Sequence, residues 1–247
     1  MERTLLVTLR FDGRPYCGWQ VQKNGLSVME AFQDALETVL QSRPDVKGCS
    51  RTDSGVHARR FCVSFCTERS IACARLIAAL NVRLPKSIAV TDCREVPEGF
   101  HARYDARGKR YIYRILNTPI RDPFFEGLAL YEPRPLDAAR MNEQAQDFVG
   151  THDFSAFCSA GSKVVDTVRT IRACAVRRTG ELVEIAVEGD GFLYNMVRIM
   201  VGTLLELERG RLASGSIPEI LASRERERAG LTAPACGLWL DEVFYDR

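Results

Sequence analysis

Along the first hundred residues the apolar positions switch between two periods. Residues 4–11 alternate and carry β-formers, a strand that stops at Asp12-Gly13. Ser27-Val28-Met29-Glu30 has the S-x-x-E form of a capping box. Behind it apolar side chains recur at Met29, Phe32, Leu36, Val39 and Leu40, the spacing of a helix with one buried face. Phe61, Val63 and Phe65 then alternate with Cys62, Ser64 and Cys66, which predicts a half-buried strand with Cys62 and Cys66 as small buried residues on one side. A second helix is expected from Ser70 up to residues 81–85, and a strand over 88–96. Strand, helix, strand, helix, strand predicts an α+β layer, with helices covering one face of a sheet.

The boundary of this half is expected near 104–108, giving units 1–105 and 106–247. Residues 109–117 alternate again: Tyr111, Tyr113 and Ile115 share one face, and Ile112, Arg114 and Leu116 the other. Residues 119–135 read as a connection, and Asp137 as the cap of a helix reaching 149. A hairpin is expected from 167–177 and 181–188, turning at Thr179-Gly180. Residues 193–208 repeat Met196, Val197, Met200, Val201, Leu204 and Leu205 at helical spacing, interrupted by Arg198. A charge in such a stripe either snorkels or has a buried partner. Gly202 within the helix suggests close packing against a sheet. A short helix over 216–228 and a strand running to 245 complete the pattern, and no repeat of 20–50 residues stands out.

Composition adds little by itself. A chain of 247 residues that is 46% hydrophobic can bury one large core or two modest ones, and a net charge of +2 diagnoses no polyanion partner. The positive charge is local: Arg94, Arg103, Arg107, Lys109, Arg110, Arg114 and Arg121 are interleaved with Phe100, Tyr104, Tyr111 and Tyr113. Nine cysteines without a C-x-x-C pair, and only three histidines, read neither as a disulfide framework nor as a metal site. The first residues have no signal-peptide character, and no apolar run approaches the roughly 18 residues of a membrane span. A reducing cytoplasm fits these features. Neither a P-loop nor a G-x-G-x-x-G is present, so no nucleotide cofactor is signalled.

The stretch with the densest chemistry is G-C-S-R-T-D-S-G-V-H-A-R-R, residues 48–60. Asp53 precedes Ser54-Gly55, a turn signal, and an extended backbone before it would turn Arg51 to the same side. His57, Arg59 and Arg60 follow. An anionic nucleophile or base in a cationic surround suits chemistry on a polyanion, while T-D-S-G alone is more often a plain surface turn.

The run R-T-D-S-G-V-H-A closely resembles the catalytic signature R-T-D-A-G-V-H-A of the tRNA pseudouridine synthase A family. It departs from that pattern at Ser54, where Ala is usual, and at Cys49-Ser50, where Ala-Gly is usual. All three are small, so the departures touch turn geometry and leave the aspartate in place. Further landmarks resemble the family along nearly the whole chain: F-D-G with G-W-Q-x-Q, N-x-x-L-P, F-H-A-R-Y, G-T-H-D-F-x-x-F, F-L-Y-N-M-V-R-I-M-V-G and A-P-A-C-G-L. The resemblance implies the pseudouridine synthase fold, an α+β architecture of two α/β halves whose mainly antiparallel sheets form a cleft. It implies a tRNA isomerase acting at positions 38 to 40 of the anticodon stem-loop, as a homodimer, without metal or cofactor. Asp53 is then the catalytic carboxylate and Tyr111 the ring that stacks on the target uracil. Arg51 and Arg198 organise the site, Arg198 by pairing with Asp53 or holding a phosphate. Arg59, Arg60, Arg107, Lys109 and Arg110 are expected at the RNA backbone. Trp19 reads as a packing residue, and His152 and Asp153 as fasteners of their loop. The competing class is a non-catalytic tRNA-binding module; an Asp-dependent hydrolase of a phosphorylated small molecule is disfavoured because neither a metal-ligand cluster nor a phosphate loop accompanies Asp53.

Overall fold

The computed structural model describes residues 2–23, 25–161 and 164–245. Two compact units emerge. One runs up to Arg107 and takes up again at Leu240; the other is Gly108–Trp239.

The first unit contains β1 (Arg3–Phe11), α1 (Val28–Leu40), the short β2 (Lys47–Gly48), β3 (His57–Thr67), α2 (Cys73–Arg83) and β4 (Ile88–Val96). Its strands lie in the order β4-β1-β3, with β2 on β3, and β1 runs antiparallel to both neighbours. The capping residue of α1 is Ser27, whose Oγ accepts the Glu30 N–H at 3.1 Å. The buried face of α1 is Val28, Ala31, Phe32, Ala35, Leu36 and Leu40, while Met29 and Val39 are only half-buried. Ser70 does not open α2, which starts three residues later. Leu76 and Leu80 face inward, and the Asn81 carboxamide exchanges two 2.8 Å hydrogen bonds with the backbone of Val90, fixing α2 against β4.

The centre of β3 is buried on both sides, against the half-buried expectation: Phe61, Cys62, Val63, Ser64 and Phe65 are all inaccessible. The second face is closed by the segment after β4. There the Ser64 hydroxyl accepts the Ala102 N–H at 2.9 Å, and the Tyr245 hydroxyl donates to the Ala102 carbonyl at 2.8 Å. Cys66 lies beyond this cover and is exposed. Each phenylalanine buried here contributes about 1.5–3 kcal/mol over an exposed one.

The second unit contains β5 (Gly108–Leu116), β6 (Leu130–Tyr131), α3 (Ala138–Ala145), β7 (Gly150–Asp153), β8 (Val168–Thr179), β9 (Leu182–Gly189), α4 (Met196–Glu208) and α5 (Ile217–Ser223). The order is β5-β9-β8-β7, antiparallel throughout, with β6 added parallel to β5. The β8–β9 turn uses Gly180 at φ +60°, a conformation that side chains resist. Asp137 caps α3 by accepting the N–H groups of Ala139 and Arg140. The α-helix ends at Ala145, and a 3-10 turn carries the chain on to Phe148.

Helix α4 is buried almost all round, the pattern of a core helix. The close approach at Gly202 is to a loop and not to the sheet. A Cβ there would lie 1.6 Å from the Leu231 carbonyl oxygen, and one on Gly230 would lie 2.5 Å from the Thr203 nitrogen. Thr203 Oγ1 accepts the Gly230 N–H at 2.9 Å, so residues 230–233 run along the helix in backbone contact.

The last strand, β10 (Leu238–Phe244), leaves its first two residues in the second unit and returns the chain to the first, where it lies beside β3. The expected single division at 105/106 therefore differs from the packing at the 240–245 stretch. The physical reason is pairing: Arg59 meets Asp241 and Arg60 meets Glu242, each at 3.2 Å, and the Arg107 N–H donates to Phe244 O at 2.7 Å.

Candidate active-site residues

Asp53 stands on the loop that leads into β3, half-buried between the buried Thr52 and the turn Ser54-Gly55. The backbone of residues 12–19 holds this loop. Gly18, at φ +105°, leaves so little space that a Cβ would lie 2.3 Å from Thr52 O, and a Cβ on Gly13 would lie 2.1 Å from Val56 O. The Trp19 N–H donates to Thr52 O at 3.2 Å, the Ser54 hydroxyl to Tyr16 O at 3.2 Å, and the Val56 N–H closes the turn onto Asp53 O. Thus Ser54, where the family pattern has alanine, adds a fastening to the turn and does not disturb it.

His57 is completely buried, and its Nδ1 accepts the Gly13 N–H at 3.1 Å. That bond makes His57 a structural residue of this corner, and the Asp12 carboxylate lies 3.3 Å from the same Nδ1. Burial pushes the Asp12 carboxyl up, but its hydrogen bonds and charge contact with Arg14 outweigh this and leave it below the ordinary range. Trp19 is a packing residue: it lies 4.3 Å from the Phe61 ring and against Gly48, where no Cβ would fit.

Among the cationic residues of this unit, Arg51 is exposed on the Asp53 loop, and Arg59 and Arg60 are exposed at the start of β3 in their pairs with Asp241 and Glu242. Arg107 is exposed at the end of the unit.

In the second unit Tyr111 occupies the middle of β5, opposite Val187, and is 6% exposed. The Phe192 ring meets it edge-on at 5.0 Å, which fixes its tilt. Tyr113, on the same face, is wholly buried and donates its hydroxyl to Pro234 O at 2.8 Å; burial pushes that phenol far above its ordinary range. Arg110 and Arg114 point the other way, opposite Glu188 and Glu184 in register. Arg114 pairs with Glu184 at 2.9 Å and covers the Trp239 ring, so part of the basic run serves the sheet. Lys109 is half-buried one position from the start of β5.

Arg198 lies in the first turn of α4. Its Nε donates to Ala233 O at 2.7 Å and its Nη1 to Asn195 Oδ1 at 2.8 Å, while its own carbonyl accepts the Ala233 N–H at 3.1 Å. It therefore does not snorkel freely. Asn195 and Ala233 were not legible as partners; the A-P-A run and the asparagine before M-V-R are the signals that could have pointed to them.

His152 and Asp153 are fasteners. His152 Nε2 donates to Val149 O at 3.1 Å. Asp153 accepts from the Thr167 hydroxyl at 2.6 Å and the Ser155 N–H at 3.0 Å, and pairs with Arg224 at 3.0 Å. Thr167, the Ser155 N–H and Arg224 together hold this carboxyl below the ordinary range despite partial burial. Among the described residues no group of three or more His, Cys, Asp or Glu is placed to hold a metal ion, and no helix is long and apolar enough to cross a membrane.

The family described as tRNA pseudouridine synthase matches this chain over residues 8–105 and 144–246. Proteins named tRNA pseudouridine synthase A are similar to it over 98% of its length. That of Acetivibrio thermocellus is 43% identical and that of a Thermoanaerobacter species 40%, each covered completely; that of Staphylococcus aureus is 39% identical and 92% covered. The crystal structure of a Cbf5-Nop10-Gar1 complex aligns with 96% of the chain and 48% of its own at 12% identity and a TM-score of 0.40, a likeness too weak to argue from.

Proposed function

From the premise that this chain belongs to the tRNA pseudouridine synthase family and is an isomerase, we propose that it converts uridine to pseudouridine at positions 38, 39 and 40 of the tRNA anticodon stem-loop. The observation that carries the mechanism is Asp53, the one carboxylate of residues 48–60, set half-buried on a loop whose backbone is locked on two sides.

The reaction exchanges an N-glycosidic for a C-glycosidic bond and needs no redox change, metal or energy input. It needs a group that attacks at the ribose–uracil junction or takes a ribose proton, and Asp53 supplies the carboxylate for either path. Arg51 and Arg198 are organisers and transfer no proton. The target nucleoside leaves its stack at a cost of a few kcal/mol, and stacking on Tyr111 returns about 1–3 kcal/mol. Phosphate contacts come from Arg59, Arg60, Arg107, Lys109 and Arg110, with an affinity that falls as salt rises. Arg59 and Arg60 are already paired with acids, so they contribute less per residue than unpaired cations would. We place the enzyme in the cytoplasm as a homodimer.

The test is direct: incubate the protein with unmodified tRNA and map pseudouridine by position. Product confined to the anticodon stem-loop supports the proposal. Product elsewhere overturns the site assignment, and tRNA binding without product leaves only an RNA-binding module.

A further inference from the structure

Asn195 stands at the N-terminus of α4, where an asparagine ordinarily turns its side chain back to cap the helix. Here it caps nothing. Its backbone is left-handed, at φ 60° and ψ 9°, and its side chain makes no capping bond. For a residue other than glycine that conformation is unfavourable, though asparagine resists it least. Its carboxamide is spent elsewhere. Oδ1 accepts from Arg198 Nη1 at 2.8 Å, and Nδ2 donates to Ser159 Oγ at 2.9 Å. A guanidinium offers only donors, so the amide oxygen must face Arg198 and the amide nitrogen must face Ser159. The Ser159 N–H in turn donates to Tyr194 O at 3.1 Å, tying that loop to the start of α4. On the other side of the guanidinium, Ala233 O accepts from Nε at 2.7 Å.

We infer that Asn195 is a positioning residue: with the Ala233 carbonyl it clamps the Arg198 guanidinium in one orientation, and its left-handed backbone and missing cap are what this clamp requires. Asn195 acts through Arg198 and has no contact of its own with the reacting atoms. The inference rests on the proposal that Arg198 serves the reaction. Pre-setting a long, rotamer-rich side chain removes an ordering cost that would otherwise fall on the reaction step, so the clamp should show in kcat more than in KM.

Asn195→Gly separates the clamp from the fold, because glycine takes the left-handed backbone freely and cannot lower stability through strain. The expected result is a kcat lower by about 10- to 100-fold, a KM for tRNA within about twofold, and a thermal midpoint at or near that of the parent. Asn195→Asp, which keeps an oxygen on Arg198, should retain most of the activity. Ser159→Ala should cost about threefold, and Asn195→Gly should change nothing further in an Arg198→Ala background. Parental kcat in Asn195→Gly alongside an inactive Arg198→Ala overturns the clamp and leaves the role of Arg198 standing. Full activity in Arg198→Ala overturns that role and the clamp together. A kcat loss that adds independently to that of Arg198→Ala, or a lowered midpoint with kcat intact, also overturns it.

Discussion

The loop that presents Asp53 and the helix that presents Arg198 reach rigidity by opposite routes. The loop is held because Gly13 and Gly18 let one backbone come within contact distance of another. The helix is buried nearly all round, and its arginine is then aimed by two oxygen acceptors, one from a side chain and one from a backbone. The contrast teaches where each site is vulnerable. The carboxylate depends on glycines distant in sequence, and the arginine depends on polar partners that helix packing alone would not supply.

The largest effect is expected from the carboxylate itself. Asp53→Asn or Asp53→Ala should lower turnover by more than about 10³-fold while tRNA affinity changes little, measured by tritium release or mass spectrometry beside a filter-binding titration. Pseudouridine formed by either variant at a rate near the parental one would end the assignment. Gly18→Ala comes next. A Cβ at φ +105° and 2.3 Å from Thr52 O should cost about 1–3 kcal/mol in urea unfolding and, by moving Asp53, about 100-fold in kcat. Gly202→Ala is its counterpart in the other unit, where displacing residues 230–233 should cost about 1–3 kcal/mol and disturb Arg198 through Ala233. If the two glycine variants lost stability but neither lost kcat, the contrast between backbone-held and side-chain-held sites would have no bearing on function.

Tyr111 sharpens the comparison at a smaller scale. Tyr111→Ala should lose most activity and also about 3 kcal/mol of stability, because the ring is buried, so both must be measured together. Tyr111→Phe should retain most of both if stacking is the ring's main task. Equal kcat in all three forms would reduce Tyr111 to packing. The smallest effect concerns Asp153. Its folded carboxyl titrates below the ordinary 3.8, so it stabilises the protein above that value and the contribution fades as pH falls through the folded value. Asp153→Asn should therefore be less stable at neutral pH by under about 1 kcal/mol, and the gap to the parent should close only on acidification below about pH 3.8. A gap that widened at low pH would contradict the geometry around Thr167.

Much of this was legible in the chain. Strands announce themselves by alternation, and β4 and β5 lie where the pattern put them, since period 2 is a local property. The buried face of α1 was half-read: large residues suggested it, while Ala31 and Ala35, which carry no strong hydrophobic signal, complete it. Cys66 was misplaced because whether a strand is covered on its second face depends on a distant segment, here residues around Ala102 and Tyr245. The same limit hid the clamp on Arg198. Ala233 is 35 residues away, and Asn195 looked like part of the helix before its left-handed backbone set it outside. The Asp53 loop was recognisable by its letters, but the service of F-D-G and G-W-Q as its brace is a matter of contact distances that no spacing encodes.

The return of β10 to the first unit sets an order of events during synthesis. The first 107 residues leave the ribosome early, yet their sheet has an open flank at β3 until Leu240 and its successors follow the whole of Gly108–Trp239. Until then Arg59 and Arg60 lack their acidic neighbours, and Ala102 lacks the hydroxyl that covers it. Such long-range closure is slow and leaves an unprotected strand edge in the nascent chain. This unit should therefore acquire its final hydrogen-exchange protection last, although its sequence comes first.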